Sequence, residues 1–323
     1  MAFQQLSFNV DVTYLDFAKA FNKLDIKIAL EKMKKLGINN KIFKWIEAFL
    51  NDRKQKVIVN GINSEPVNVK SGVPQGSVLG PLIFLIHIGD IDYCVENSII
   101  RSFADDTRIV GKVESYDDVA NIQDDLQTIY DWTEISNMTF NETKFELLRY
   151  GTNDLLKVNT EYISPSGKVI DAKQEVKDLG IHMTDDASFD YHITQIAEKA
   201  KHMTSWILRT FKTRESLPML TLWKSLVIPI LEYCSVLWSP STVGNIQRLE
   251  MLQWSFIRKI VDRKNRNYWD LLKFFNLYSL QRRRERYMII YLWKIIEKKV
   301  KNINNKITCI MKNRDEKYTE EPS

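Results

Sequence analysis

The spacing of hydrophobic and polar residues in the first half of the chain alternates between the patterns of strands and helices. Residues 9–17 alternate and are rich in β-branched side chains, which predicts a strand that ends at or near Asp16. Runs of similar character predict further strands at 57–59, 67–69, 98–103, 107–110, 145–150 and 180–183. Apolar residues three and four positions apart predict helices at 26–35, 40–50, 78–88 and 117–136. The runs at 57–59 and 67–69 flank a turn signal at 60–64, so we expect them to form a hairpin.

The spacing changes after about residue 190, where strand patterns disappear and helical periodicity takes over. The predicted helices lie at 192–212, 216–238, 243–262 and 280–300. We therefore predict an α+β fold, in which an α+β domain at 1–190 precedes an all-helical domain at 191–310. Residues 311–323 are polar, and we expect them to form a disordered tail.

Composition places the chain among ordinary globular proteins. Its 323 residues can bury a core and can form two domains, and 44% of them are hydrophobic and 27% charged. Cys94, Cys234 and Cys309 show no paired spacing, which argues against a zinc site or a disulfide framework and favours a reducing compartment. The sequence shows no signal peptide and no apolar run long enough for a membrane span, so we expect an intracellular protein of the nucleus or cytoplasm.

Three carboxylates stand at the ends of apolar runs. Asp16 follows the first predicted strand, and Asp105 and Asp106 occupy the turn between two later strands. A glycine-rich loop at 71–81 lies between them in the chain. Two carboxylates about 4 Å apart repel each other by roughly 4 kcal/mol at an effective dielectric constant of about 20, so a fold that gathers them favours a hard cation. We predict a divalent-metal site that handles a nucleoside triphosphate; taken alone, each feature is also compatible with a solvated turn.

Together the three segments resemble motifs A, B and C of reverse transcriptases, in the form found in non-LTR retrotransposons of the LINE-like, jockey or CR1 type. Tyr14-Leu-Asp-Phe-Ala-Lys-Ala-Phe21 resembles motif A, residues 71–86 resemble motif B, and Phe103-Ala-Asp-Asp106 is similar to the non-LTR form of motif C. The resemblance covers roughly residues 10 to 300. Its further parts are a motif D at 137–144, a primer grip at 176–193, thumb motifs at 229–240 and a basic helix at 282–284.

The resemblance implies a right-hand polymerase palm, formed by an antiparallel sheet with helices, and a helical thumb after it. Motif A begins at about residue 12, so we expect the fingers to be largely missing. The implied activity is that of an RNA-directed DNA polymerase, a nucleotidyltransferase that adds a deoxynucleotide to a primer 3′-hydroxyl. The implied partners are an RNA template, a DNA primer and deoxynucleoside triphosphates, with no membrane. The alternatives are a truncated remnant that binds nucleic acid without turnover and a fragment that does not fold stably.

The resemblance also implies roles for individual residues. Asp16, Asp105 and Asp106 would be the catalytic carboxylates that bind two Mg²⁺ ions, with Mn²⁺ as an alternative metal. Phe21 would stack beneath the sugar and exclude a 2′-hydroxyl, although core packing explains this residue equally well. Gln75 and Gly76 would approach the incoming nucleotide and the template. Lys144 would lie near the triphosphate as a proton donor to pyrophosphate, or would be a solvated lysine.

Basic residues form clusters in the helical part, where they would neutralise nucleic-acid phosphates without reading sequence. The net charge of +5 is mild, so the distribution of charge matters more than the total. The aromatic residues nearby would stack on bases or pack between helices: Trp254, Tyr268, Trp269 and Tyr287. The basic clusters contain Arg258, Lys259, Arg263, Lys264 and Arg266, then Arg282, Arg283, Arg284 and Arg286, and finally Lys294, Lys298, Lys299 and Lys301.

Overall fold

The computed structural model of the protein describes residues 8–261 and 267–300. The chain divides into two compact units, one that ends at Ser188 and one that begins at Phe189. Some predicted features lie outside the described residues, namely the tail at 311–323 and the residues Arg263, Lys264, Arg266, Lys301 and Cys309.

The first unit forms a strand at every segment where the sequence predicts one, together with four short strands that it does not predict, and β1 ends at Asp16 as predicted. In chain order they are β1 Asn9–Asp16, β2 Lys54–Gln55, β3 Ile58–Val59, β4 Ile62–Asn63, β5 Val67–Asn68, β6 Ile99–Phe103, β7 Asp106–Val113, β8 Glu146–Tyr150, β9 Ala172–Lys173, β10 Glu175–Asp178 and β11 Ile181–Thr184. The expected pairing of 57–59 with 67–69 is wrong, because β3 pairs with β4 and β5 pairs with β2. The reason is the tight turn at Asn60 and Gly61, whose φ angles of 51° and 81° fold β3 directly back onto β4.

The main sheet has five strands in the order β6-β7-β1-β8-β9. Its pairs are antiparallel except the last, in which β8 and β9 run parallel. The first strand of the chain therefore lies at the centre of the sheet, between two strands that come much later in the sequence. This order decides which residues meet at the end of β1.

Helices pack on one face of this sheet. They are α1 Ala20–Lys23, α2 Ile26–Lys35, α3 Asn40–Leu50, α4 Leu79–Ile88, α5 Tyr116–Ile135 and α6 Asp154–Asn159. Local capping signals mark the starts of α2 and α5: the Asp25 side chain accepts hydrogen bonds from the first turn of α2, and Ser115 and Asp118 form a capping box at α5. Such caps explain why α2 and α5 begin close to the positions that the sequence predicts, whereas the short helices α1 and α6 were not predicted.

The two faces of the sheet bury different residues, because successive side chains in a strand point in opposite directions. Leu15, Ile109 and Leu147 belong to the large core that the helices complete. Val12 and Leu148 lie on the opposite face, in a smaller buried cluster that also contains Tyr150 and Val176. Val176 belongs to β10, so the β10–β11 hairpin covers part of this second face. Asp16 lies an even number of residues from Val12 and therefore shares the face that the hairpin covers.

The second unit consists of helices over its described residues, with no strand among them. They are α7 Asp190–Thr210, α8 Ser216–Leu222, α9 Ile228–Glu232, α10 Ser235–Trp238, α11 Val243–Lys259, α12 Tyr268–Phe274 and α13 Leu280–Ile296. No helix in the described part of the chain is long and apolar enough to cross a membrane.

The predicted continuous helix at 216–238 is wrong. A π-helical turn at Trp223–Val227 separates α8 from α9, and Cys234 adopts a φ of 52° just before α10. Pro229 lacks the backbone N–H that a regular helix would use at this point, so the chain widens before it. The short helix α12, which Asn267 caps, was not predicted because it is too short to show a clear period.

Candidate active site

The sheet places Asp16 directly opposite Asp106. Asp16 is the last residue of β1 and Asp106 the first of β7, and the register of this antiparallel pair makes them partners. Opposed residues of such a pair have Cα atoms about 4.5–5.5 Å apart and side chains on the same face. The two carboxylates predicted from separate motifs are therefore brought together at one end of the sheet.

Asp105 lies in the turn beside this pair. Phe103 pairs with Asp106, so Ala104 and Asp105 form a two-residue hairpin loop between β6 and β7. Ala104 adopts a φ of 54°, in the left-handed region, which costs a residue with a side chain about 1–2 kcal/mol. A strained backbone of this kind marks positions where the surrounding structure imposes a geometry. Here it turns the chain so that two adjacent aspartates stand at the tip of one hairpin.

The charged residues around Asp106 shift the pKa of its carboxyl in opposite directions. Partial burial raises the pKa of the Asp106 carboxyl, and the negative charges of Asp105 and Asp16 raise it further. Arg108 and Lys144 counteract this shift without cancelling it. The negative charges of the site are thus only partly neutralised by the neighbouring basic side chains. A bound cation would neutralise them further.

Lys144 provides a positive charge at Asp16. Its Nζ lies 3.0 Å from Asp16 Oδ2, and its side chain is 61% exposed against 22% for the aspartate. The short 3₁₀ helix Glu142–Lys144 holds it there, since the Asn141 N–H donates to the Asp16 carbonyl at 2.8 Å. The predicted motif D residue therefore reaches the predicted motif A residue.

These side chains line an open groove on the face of the sheet that the β10–β11 hairpin partly covers. Its volume is about 390 Å³, and Asp16, Asp106 and Lys144 contribute to its wall. Among the described residues, Asp105 does not line it. The other wall residues include Tyr14, Arg108, Glu146, Asp178 and Leu179.

The donor set fits a hard divalent cation only in part. Asp16 and Asp106 offer carboxylate oxygens to one groove, and Mg²⁺ prefers one or two carboxylates with water and phosphate oxygens. Nowhere among residues 8–261 and 267–300 do three His, Cys, Asp or Glu side chains converge closely enough to hold a metal ion by themselves. The structure thus brings two of the three predicted metal ligands together and leaves Asp105 beside them.

The glycine-rich loop docks on the end of motif A. The N–H groups of Gly72 and Val73 donate to the carbonyls of Leu24 and Phe21, at 2.7 and 2.9 Å. A Cβ at Gly72 would lie 2.6 Å from the carbonyl oxygens of Phe21 and Asn22, so only glycine fits there. This close approach fixes the loop against α1, which follows the strand that carries Asp16.

The predicted nucleotide-contacting residues lie around this junction. Gln75 is exposed, and its amide donates to the Asn22 side chain at 3.0 Å. Gly76 is exposed with a φ of 82°, and a Cβ there would meet no atom within 4 Å. Phe21 is half-buried and stacks on Phe84, with ring centroids 4.7 Å apart. Phe21 therefore has a packing role, and its partial exposure leaves part of the ring free.

The basic residues of the second unit divide into exposed and engaged side chains. Arg258 and Lys259 are exposed at the end of α11, and the Arg258 guanidinium lies over the Trp254 ring. Arg283 forms a bidentate ion pair with Glu232. Arg284 is 1% exposed, so its guanidinium is not at the surface. Arg282 and Arg286 are both exposed, and the Arg282 guanidinium lies over the Tyr278 ring.

The sequence does not predict the ion pair between Arg108 and Asp178 in the wall of the groove, nor any role for Arg108. Arg108 had a detectable signal, because it lies two residues after Asp106 and so shares its face of the strand. Asp178 lies in the segment 176–193 that resembles a primer grip, but its contact with Arg108 could not be predicted, since it depends on how the β10–β11 hairpin packs on the sheet.

The antiparallel sheet, its helical layer and the acids at its paired strand ends define an α+β protein with a polymerase-type palm. Residues 5–183 match the family described as reverse transcriptase (RNA-dependent DNA polymerase), and the chain belongs to this family. The sequence is 25% identical over 258 residues to the RNA-directed DNA polymerase from mobile element jockey of Drosophila melanogaster. It is 27% identical over 260 residues to the probable RNA-directed DNA polymerase from transposon X-element of the same organism.

These matches cover 76% and 73% of this chain but only 28% of each relative, so the chain spans well under half of the relatives' length. Among solved structures, the chain is similar to apo telomerase from Candida tropicalis, with a TM-score of 0.46, 11% identity and coverage of 82% of this chain and 45% of that one. It is also similar to telomerase from Candida albicans in complex with a fragment of telomeric RNA, with a TM-score of 0.40, 12% identity and coverage of 78% and 44%.

Proposed function

We propose that this chain carries the catalytic core of an RNA-directed DNA polymerase, which extends a DNA primer along an RNA template. The observation that carries the proposal is the register that sets Asp16 opposite Asp106, in a chain of the reverse transcriptase family. We infer that the first unit is the palm and that the second is the helical thumb and C-terminal region. The substrates are intracellular, so we place the protein in the nucleus or cytoplasm.

Asp16 and Asp106 would hold the catalytic metal in the groove, with Asp105 as a third ligand after a small adjustment of its turn. Two Mg²⁺ ions, or Mn²⁺ in their place, supply activation of the primer hydroxyl and neutralisation of the leaving pyrophosphate when bound. Lys144 lies at the edge of the same groove with a mostly exposed ammonium group. It would bind the triphosphate and give a proton to pyrophosphate as this group leaves.

The junction of motifs A and B would hold the incoming nucleotide. The half-buried Phe21 ring stacks on Phe84, which would keep the ring from moving away when a ligand contacts it. Such a surface would exclude the extra 2′-hydroxyl of a ribonucleotide by contact. Gln75, which the Asn22 amide orients, and the open backbone at Gly76 would face the nucleotide and the template.

The second unit would bind the nucleic-acid backbone through its exposed basic residues. Arg258 and Lys259 are adjacent and exposed, which suits contact with phosphates. Arg282 and Arg286 would extend this contact along α13. Arg283 and Arg284 would instead support the helix, through the Glu232 ion pair and through burial.

Primer extension tests this proposal. The full chain, with Mg²⁺, a DNA primer on an RNA template and deoxynucleoside triphosphates, is expected to lengthen the primer. Asp105→Ala and Asp16→Ala should each remove the product, by at least about a hundredfold, as for other residues that act in the chemical step. Asp92→Ala changes an exposed acid outside the groove and should keep full activity.

One observation favours a second function. No three acids in the described part of the chain converge on a metal, which is compatible with a protein that binds primer–template without turnover. Tight binding by the folded chain without any extension, in Mg²⁺ and in Mn²⁺, would support this alternative and contradict the enzymatic proposal. A cooperative thermal melt of the same sample shows that the chain is folded in either case.

A further inference from the structure

The 3₁₀ helix that carries Lys144 is a single turn, which needs its neighbours to fix its position. The Lys144 N–H donates to the Asn141 carbonyl at 3.0 Å. The Phe145 N–H donates to the Glu142 carbonyl at 3.2 Å. Hydrogen bonds of 3₁₀ geometry hold such a short segment only weakly. One end of the turn is attached to β1 through the Asp16 carbonyl, and the other attachment is made by the Glu142 side chain.

The Glu142 carboxylate binds a turn that comes about twenty residues later in the chain. Its Oε2 accepts hydrogen bonds from the Ser164 hydroxyl at 2.7 Å, from the Ser166 N–H at 3.3 Å and from the Ser166 hydroxyl. The Ser166 hydroxyl, followed by the Ser164 hydroxyl, lowers the pKa of the Glu142 carboxyl, so the acceptor is charged at neutral pH. Ser164 is 6% exposed, so water competes little for its hydroxyl.

The sequence makes this turn well defined. Ser164-Pro165-Ser166-Gly167 places serine, proline and glycine at the first, second and fourth positions, where β-turns favour them. The Gly167 N–H donates to the Ser164 carbonyl at 2.9 Å. Ile163, just before the turn, is attached to α5, because its N–H and carbonyl bond the Gln123 side-chain amide at 2.7 and 3.2 Å. The Ser164–Gly167 turn is therefore a support that is itself fixed to a long helix.

We propose that Glu142 is a positioning residue for Lys144: by binding the Ser164–Gly167 turn, it holds the 3₁₀ helix so that the Lys144 ammonium stays in the wall of the groove beside Asp16. The catalytic part of this role rests on the proposed function, whereas the attachment of the 3₁₀ helix does not. The Lys144 side chain is long and mostly exposed, so a fixed backbone limits the positions that its ammonium can reach.

The proton transfer in the proposed reaction sets how precisely Lys144 must lie. As the primer 3′-oxygen bonds to the α-phosphorus, the bond from that phosphorus to the pyrophosphate oxygen breaks, and this oxygen takes a proton from the Lys144 ammonium. The neutral amine then regains a proton from water. A proton donor acts within hydrogen-bond reach of the accepting oxygen, about 2.6–3.2 Å. A displacement of the 3₁₀ helix by about 1 Å is therefore enough to slow this step.

Amide hydrogen exchange of the full chain tests the attachment without turnover. Glu142→Ala removes the acceptor of the Ser166 N–H and loosens the 3₁₀ helix, so the amides of Ser166 and Phe145 should exchange about tenfold faster. Glu161→Ala is the matched control, because it removes an exposed acid shortly before the same turn, and both amides should stay within about twofold of the unchanged protein. Equal exchange in Glu142→Ala and the unchanged protein would overturn the proposed attachment.

Primer extension tests whether Glu142 acts through Lys144. Glu142→Ala should lower kcat about tenfold and leave the KM for primer–template unchanged, since only the proton donor is displaced. Lys144→Ala should lower kcat about a hundredfold. The double variant Glu142→Ala, Lys144→Ala should be no slower than Lys144→Ala, because no ammonium remains to be positioned. A double variant about tenfold slower than Lys144→Ala would overturn the role, since Glu142 would then support the fold in general.

Glu142→Gln supplies a rescue. The amide keeps an oxygen that accepts hydrogen bonds from the serine hydroxyls and loses the charge, so kcat should return to within about threefold of the unchanged protein. A Glu142→Gln variant as slow as Glu142→Ala would overturn the proposed support, because the charge and not the hydrogen bonds would then matter. If the unchanged protein extends no primer, the proposed function fails together with the role of Lys144, while the exchange result still decides whether Glu142 holds the 3₁₀ helix.

Discussion

At the scale of single residues, the site is defined by like charges that the fold holds together. Asp16 and Asp106 come from distant parts of the chain and end opposite each other, with Asp105 at the adjoining turn. Burial and the two neighbouring carboxylates raise the pKa of Asp106, which shows that its ionised form is destabilised in this arrangement. Lys144 offsets part of the cost at Asp16.

The first prediction concerns Asp106→Asn. A carboxyl with a raised pKa stabilises the fold when protonated, so this contribution is complete below the ordinary pKa of 3.8 and is lost as the pH rises through the raised value. At pH 7 without metal, the asparagine variant should therefore melt at or above the temperature of the unchanged protein. Primer extension should fall at least about a hundredfold.

The effect of Mg²⁺ on thermal stability is expected to distinguish this variant from the unchanged protein. Mg²⁺ at ten times its dissociation constant should stabilise the unchanged protein by about 1.4 kcal/mol, and Asp106→Asn should lose most of this gain. At a pH near 4 the unchanged protein should lose it as well, because protonated carboxyls bind Mg²⁺ poorly. A melt in which Mg²⁺ stabilises both proteins equally at pH 7 would contradict the assignment of Asp106 as a ligand.

The second prediction concerns Phe21, whose packing and proposed selectivity can be separated. Phe21→Val should raise the use of ribonucleotides relative to deoxynucleotides by about tenfold or more in kcat/KM, because the ring no longer opposes the 2′-hydroxyl. Phe84→Leu removes the stacking partner and leaves Phe21 in place, so it should lower stability by about 1–3 kcal/mol with little change in selectivity. If both variants alter selectivity equally, Phe21 acts through packing alone.

At the scale of elements, the fold depends on a few close contacts between segments. The loop of motif B lies against α1 through hydrogen bonds from Gly72 and Val73, and it could not approach so closely with a side chain at Gly72. The sequence predicts the strand before α1 and the helix after the loop, because their periods are local, but it does not predict α1 itself. It does not predict the contact itself, which depends on where α1 lies after the chain turns at the end of β1.

The third prediction follows from this contact. Gly72→Ala should destabilise the protein by about 3 kcal/mol or more, because the new Cβ meets two carbonyl oxygens and the backbone keeps a φ of 75°. Gly76→Ala is the matched control: its φ of 82° is similar but its surroundings are open, so about 1 kcal/mol is expected. Chemical denaturation of both variants measures the difference, and equal losses would show that backbone strain alone, without the close contact, sets the cost.

Some elements departed from their predicted form for identifiable reasons. The helix expected at 216–238 is divided because Pro229 removes a hydrogen-bond donor and Cys234 leaves the helical conformation. The hairpin expected between 57–59 and 67–69 closes earlier, at Asn60 and Gly61. In each case two residues outweighed the spacing of the apolar positions around them.

At the scale of the whole molecule, two units with different secondary structure would share one task. The first contains the acids, and the second contains the exposed basic residues at the end of α11. Burial changed the interpretation of the second unit most, because charge alone cannot distinguish Arg284, which is 1% exposed, from Arg286, which is at the surface.

The fourth prediction concerns the salt dependence of nucleic-acid binding. The double variant Arg258→Ala, Lys259→Ala should reduce the slope of log affinity against log salt by about 1.4–1.8, because each lost phosphate contact contributes about 0.7–0.9. The control is Lys199→Ala, Lys201→Ala, which removes two exposed charges of the same unit outside the predicted clusters. An equal reduction in both double variants would mean that net charge alone governs binding.

The sequence by itself determined the family, the three acids, the ends of β1 and the approximate extent of most helices, because motifs, caps and periodicity are written within short segments. Only the tertiary structure decided that Asp16 faces Asp106, that Arg108 meets Asp178 and that Arg284 is buried. These outcomes depend on strand order, on the register of β1 with β7 and on the packing of distant elements. Each is a balance of packing and electrostatics across the whole fold, which no short segment encodes.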